Sequence, residues 1–255
     1  MDKIIRRPWR RDELLIAFRL YCQIPFGRIN KDNSMIKRVA KILGRTPSSL
    51  AMKLANFASL DPIQRKRGIK GLSNVSMADR RIWKEFNQDW EGRVLESAEH
   101  IRTLSLSNVI EGAPKDIGHT ETERMGTTKV RLVQQFFRNA VLSAYRNVCA
   151  ICSLELPQLL IASHIIPWSM NVTLRADPRN GISLCALHDR AFDRGLITID
   201  ENLKVCVSST VPEKTKSKLQ DMALLKVVGF KIISPDRFAP SEEALAYHRD
   251  SIFVK

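Results

Sequence analysis

Two histidines and an asparagine stand at spacings that can do chemistry. His164 ends an apolar stretch, Asn180 opens a glycine-bearing turn 16 residues later, and His188 follows eight beyond that. Strand, turn, strand and short helix can fold the two rings onto one small site. One neutral imidazole can then act as a general base near pH 7. The other can hold a divalent cation through a ring nitrogen. Asn180 can orient the first ring through its carbonyl or brace the turn through its amide. Arg190 and Arg194, on and just after the helix, can neutralise a phosphate. These parts suit metal-assisted hydrolysis of a phosphodiester, with Mg²⁺ or another divalent cation such as Mn²⁺ stabilising the departing 3′-oxygen. His100, His119 and His248 lack such company and read as structural or surface residues.

The elements around them follow from periodicity and punctuation. A helix ending near Asn147 carries Leu132, Phe136, Leu142 and Tyr145 on one face. Cys149-Ala-Ile-Cys152 comes next, then an apolar strand at Leu159–Ala162 and a helix at Ala186–Phe192. Two strands, Leu196–Ile199 and Leu203–Val207, are joined at Asp200, and Ser241 caps a last helix. The first 90 residues read as mostly helical. Asp12 caps a helix with Leu14, Leu15, Phe18 and Tyr21 inward. Ser34 caps a second, with Ile36, Val39, Ala40 and Leu43 inward, and Gly44 ends it. Thr46-Pro47 starts a third, buried along Leu50, Leu54 and Phe57. Ser76 and Asp79 open a fourth as a near capping box.

Charge is lopsided in this 255-residue chain. Residues 1–91 hold 20 Lys+Arg against 9 Asp+Glu, a net of +11, out of +14 for the whole. Such a basic segment favours a polyanion, usually nucleic acid. The tight turn Leu43-Gly44-Arg45-Thr46 between two helices has the parts of a helix-turn-helix. On that reading the third helix exposes Ser48, Ser49, Lys53 and Asn56 to DNA, and Arg65, Lys66 and Arg67 in a glycine-bearing loop contact phosphates. A plain helical bundle is the bland alternative. Hydrophobic residues at 44% exclude general disorder. No apolar run is long enough to span a bilayer, and no export signal is visible. With five cysteines, an odd number, a reducing cytoplasm is expected, and metal or redox roles outrank disulfides.

The stretch Ser163-His164-Ile-Ile-Pro167-Trp168, with Asn180-Gly-Ile-Ser-Leu-Cys185-Ala-Leu-His188-Asp-Arg-Ala-Phe-Asp193-Arg-Gly195, resembles the HNH endonuclease motif, closest to its restriction-endonuclease-like branch. The resemblance covers about residues 128–250, including Gln134 to Tyr145 and Leu245 to Arg249. It implies a ββα-metal fold, with His164 as general base, Asn180 holding loop and base, and His188 as a metal ligand. Many relatives place an Asp or His ligand before the base, where this chain has Ser163; either His188, phosphate and water hold the ion, or Asp193 helps. Asp193 lies five residues after His188, about 140° round an ideal helix, so it needs a helix break to reach. Many relatives also carry a structural zinc on two C-x-x-C pairs. Cys149, Cys152 and Cys185 fit three of those ligands, and His188 is the fourth candidate, yet one imidazole nitrogen cannot serve both ions. Small buried thiols are the alternative, and Cys22 and Cys206 read as core.

The expected protein is therefore α+β. Residues 1–91 form a helical DNA-binding module, 92–127 a linker, and 128–255 the nuclease domain. It is expected to cut double-stranded DNA as a restriction-type enzyme, bacterial or phage-encoded, including one that reads modified bases. A double-strand break would ask for a homodimer or two binding events. Competing classes are a non-catalytic DNA-binding regulator with an inert zinc-ribbon-like C-terminal half, and a thiol redox protein built on Cys149 and Cys152. No thioredoxin-like βαβ pattern surrounds that pair.

Overall fold

The computed structural model describes residues 7–69, 75–106, 110 and 121–255, the side chains of 121–127 excepted. Lys70 and Gly71 of the basic loop, and Ser107, Gly112, Pro114, Gly118 and His119, lie outside the described residues. The fold is α+β, divided into two units at residues 1–140 and 141–255. Among the described residues no helix is long and apolar enough to cross a membrane.

The first unit is helical. Its elements are α1 (Arg11–Gln23), α2 (Ser34–Ile42), α3 (Pro47–Ala58), α4 (Pro62–Lys66), α5 (Met77–Gln88), α6 (Trp90–Thr103) and most of α7 (Glu121–Ala144). Helix α1 is buried on every side from Glu13 to Cys22, so it is the hub rather than an amphipathic surface helix. Phe18 stacks on Phe86 at 4.2 Å and meets Phe57 edge-on at 5.1 Å. Two charges inside this hub are satisfied locally. Arg19 donates to the Val94 carbonyl at 3.0 Å, and Glu13 accepts from Arg7 and Arg45. Burial opposes a charge on Glu13, but these guanidinium partners hold its carboxyl down at about 2. Helix α6 packs on α1.

Caps sit close to where the sequence places them. Thr46 accepts from the Ser49 N–H with Pro47 at the first helical position, and Ser76 and Asp79 form a reciprocal capping box. Asn33, not Ser34, caps α2. Helix α1 begins at Arg11, ahead of Asp12, and the Glu13 side chain accepts from the Arg10 N–H at 2.9 Å. One expectation fails on α3. Lys53 and Asn56 are buried rather than exposed, with Lys53 Nζ 2.7 Å from Asp79 and Asn56 Nδ2 3.3 Å from it. Helix α3 packs against α1, α2 and α5, so its buried face is wider than one stripe, and Asp79 draws the two polar groups inward.

The second unit begins with the end of α7 and the Cys149–Cys152 knuckle. Strands β1 (Leu160–His164) and β2 (Gly181–Cys185) pair antiparallel, with Leu160 opposite Cys185 and His164 opposite Gly181. Helix α8 (Ala186–Asp193) leaves β2 directly and packs back over both strands. A second hairpin, β3 (Ile197–Ile199) with β4 (Val205–Val207), follows. A short α9 (Lys218–Gln220) runs into a turn at Asp221–Leu225, and α10 (Glu242–Ser251) closes the unit, capped by Ser241. His248 of α10 stacks on Phe192 of α8 at 3.6 Å, with hydrogen bonds at Thr198 Oγ1 and the Phe192 carbonyl. Gly195, at φ +67°, has no room for a side chain: a Cβ would meet the Ile252 carbonyl at 2.1 Å. Its own carbonyl accepts from the Val254 N–H at 3.0 Å.

Removing Lys53 leaves the fully buried Asp79 carboxylate without its cation. Lys53→Ala should therefore cost the helical unit about 3–5 kcal/mol in urea unfolding. Truncating Asp79 as well should restore part of that loss. Burial pushes His248 down to about 4. Because the unfolded ring protonates near 6.5, its contribution is complete above that pH. It should fade as pH falls from 6.5 toward 4, by about 3 kcal/mol in all. Denaturant titrations across that range, compared with His248→Gln, measure it.

Candidate active site and cysteine cluster

Three chain segments meet at one end of the β1–β2 hairpin. Cys149 and Cys152 come from the knuckle after α7, Cys185 ends β2, and His188 stands in the first turn of α8. Their ligand atoms all lie within 4.8 Å of one another. Cys152 Sγ is 3.9 Å from Cys185 Sγ, and His188 Nδ1 is 3.5 Å from Cys149 Sγ and 3.2 Å from Cys185 Sγ. Tetrahedral zinc with bonds of about 2.0–2.3 Å requires ligand–ligand edges of about 3.5–3.8 Å, so these residues fit it. The other ring nitrogen, Nε2, donates to the Ala223 carbonyl at 2.9 Å, which fixes the tautomer and leaves Nδ1 for a metal.

The electrostatics agree. Hydrogen bonds from Cys149 and Cys152, backed by His188, hold the Cys185 thiol far below the ordinary range. Burial opposes a proton on His188, but its bonds to Cys149, Cys185 and Ala223 outweigh burial and raise it to about 10. A thiolate beside a held proton is the charge pattern that a cation replaces on binding.

This geometry separates the two histidines that the sequence predicts on one site. His164 and Cys185 sit at opposite ends of the hairpin, four residues apart in register, or about 13 Å of strand. His188 is 1% exposed and both its nitrogens are engaged, so it does not share an ion with His164.

At the far end, His164 Nε2 lies 3.1 Å from the Arg175 carbonyl, a geometry in which it donates and Nδ1 is the basic nitrogen. Trp168 meets the ring edge-on at 5.6 Å. Burial lowers the proton affinity of His164, so it is neutral at pH 7. Asn180 does not touch the ring. Its Oδ1 accepts from the Ile166 N–H at 2.8 Å and its Nδ2 donates to the Ile166 carbonyl at 3.0 Å. It clamps the segment that follows His164 and, through a longer contact to Leu174 at 3.4 Å, the segment that carries Arg175.

Sequence reasoning missed Asp189. It lies four residues before Asp193, so the two share a face of α8 without any helix break. Burial raises the proton affinity of Asp189, and the nearby Asp193 charge raises it further. Asp193 is exposed, and partial burial of its carboxyl raises its proton affinity against the pull of Arg190 and Arg194. Ser163 Oγ, buried and without a fully formed hydrogen bond, lies near enough to Asp189 to lower its proton affinity. Asp189, with the Ser163 hydroxyl near it and Asp193 one helical turn on, offers oxygen donors of the kind a hard cation takes. The spacing of four was the signal, and counting from His188 instead of Asp189 hid it. Arg190 and Arg194 are exposed next to Asp193. On α3, Ser48 is exposed and Ser49 half-buried, while Arg65, Lys66 and Arg67 are exposed.

Comparison with curated proteins finds no match for the chain. Residues 149–200, which contain the cysteine knuckle, the β1–β2 hairpin, helix α8 and strand β3, match the HNH endonuclease family.

Proposed function

We propose that the protein is a divalent-metal-dependent DNA endonuclease of restriction type, including one directed to modified DNA. The HNH match supports nuclease activity in general. The observation that carries the finer reading is the bond from His164 Nε2 to the Arg175 carbonyl, which presents Nδ1 as a base on a ring kept neutral by burial. Asp189 and Asp193, with the Ser163 hydroxyl, would hold a cation such as Mg²⁺ or Mn²⁺. Bound there, it supplies charge neutralisation for the scissile phosphate and its leaving oxygen. His164 takes the proton from the attacking water at Nδ1. Asn180 acts through the loop, keeping the Arg175 carbonyl in place beneath the ring. Arg190 and Arg194 meet the phosphate backbone. His188 belongs to a structural zinc with Cys149, Cys152 and Cys185, so its role is architectural.

The test is cleavage of supercoiled plasmid with Mg²⁺ or Mn²⁺, on modified and unmodified DNA in parallel. His164→Ala should cut about 10²–10⁴-fold more slowly than wild type, and Asp189→Asn should fall comparably while still folding. Cutting that persists in His164→Ala refutes the base assignment. Equal silence of both proteins, with DNA still bound, favours the non-catalytic regulator. Because the base must be unprotonated, the rate should decline on the acid side only below about pH 6.5.

Zinc should be found at one ion per chain by chromogenic release. Cys185→Ser or His188→Ala should abolish retention of that ion and lower the unfolding midpoint of the second unit. His164→Ala should leave both intact.

A further inference from the structure

The helical unit sorts its charges. On α5 and α6 four acids are matched: Arg11 bridges Glu85 and Glu96, Arg93 reaches Glu96 and Asp89, and Arg102 pairs with Glu99. From Pro25 to Ile69 the arrangement differs. Arg45 and Lys53 turn inward to Glu13 and Asp79. The remaining cations point outward, and Asp32 is the one exposed acid among the described residues of that stretch, joined to Lys37 in a solvent-exposed pair at 3.3 Å. Such a pair holds its lysine weakly.

These outward cations form a continuous surface. Helix α2 buries Ile36, Val39 and Ala40 and exposes Lys37, Arg38 and Lys41, which share its opposite face. The Asn33 amide donates to the Arg28 carbonyl at 3.1 Å, tying the Phe26–Arg28 turn to the start of α2. The Arg67 guanidinium lies over the Phe26 ring at 6.0 Å, bringing the end of α4, with Arg65 and Lys66, to the same turn. Helix α3 cannot lead such a surface, because Lys53 and Asn56 are spent on Asp79.

We propose that the exposed face of α2, with the Phe26–Arg28 turn and the α4 corner, is where this unit grips the sugar-phosphate backbone of duplex DNA. The choice of DNA among polyanions rests on the nuclease reading; the location of the surface does not. Lysines and arginines on one helix face, with the exposed Asp32 held weakly at Lys37, suit phosphate contact without reading base sequence. The unit then supplies grip and register.

The experiment measures binding of the full-length chain to a fluorescent 30-base-pair duplex from low to moderate salt, without divalent metal. The triple substitution Lys37→Gln, Arg38→Gln, Lys41→Gln should flatten the plot of log affinity against log salt by about 2–3 and weaken binding ~10²-fold at 0.15 M salt. Arg80→Gln with Lys84→Gln, exposed cations of α5, should leave affinity within about threefold. Arg28→Gln, Arg65→Gln and Lys66→Gln, all outside α2, repeat the test independently of that helix and should also flatten the slope. The proposal is overturned if the α2 triple keeps the wild-type slope, or if the α5 pair weakens binding as much. Wild type that binds with a steep slope but never cuts sinks the nuclease reading and leaves this surface standing. Wild type that cuts while the α2 triple binds unchanged does the reverse.

Discussion

Both nitrogens of the His188 ring are committed, one toward the Cys149 and Cys185 sulfurs and the other to the Ala223 carbonyl. That commitment organises the second unit. It pins the start of α8 to the end of β2 and to the knuckle after α7. It also forces the helix to run back over the hairpin rather than away from it. Asp189 is thereby carried toward Ser163. The cysteine cluster lies at one end of the hairpin and His164 at the other, with the five paired positions between them.

Much of the architecture was legible in the residues. Thr46-Pro47 and the Ser76–Asp79 pair work locally, through bonds closed within one helical turn, and such features survive whatever surrounds them. The β3–β4 hairpin and the Ser241 cap are local in the same sense. The failures are tertiary. Lys53 looks like a solvent-facing lysine until Asp79, 26 residues away, is packed against it. His188 was read as a partner of His164 because type and order were known but register was not. Pairing Leu160 with Cys185 is what sends the two rings to opposite ends. The cysteine count left the fourth zinc ligand open for the same reason.

Asp189 shows a different kind of omission. Nothing distant hid it, since its relation to Asp193 is one helical turn. It was overshadowed by the histidine beside it, whose chemistry is more conspicuous. Burial and the Asp193 charge both raise the proton affinity of Asp189, against the pull of Arg190. Charge behaves alike in the helical unit. The informative cations are those without an acid to answer them, and the sorting of matched and unmatched charge is visible only when helices that are far apart in sequence are seen together.

The ring of His248 lies flat on Phe192 from 56 residues downstream, and the backbone near Ile252 and Val254 seals the exit of α8 at Gly195. The segment that matches the HNH endonuclease family ends at residue 200, whereas the packing around α8 draws on residues up to Val254. Excised at that point, the helix bearing Asp189 would show a bare aromatic face to water and lose the strap that fixes its end. The likeness lies in about fifty residues, but the packing that holds them needs the chain to continue through α10.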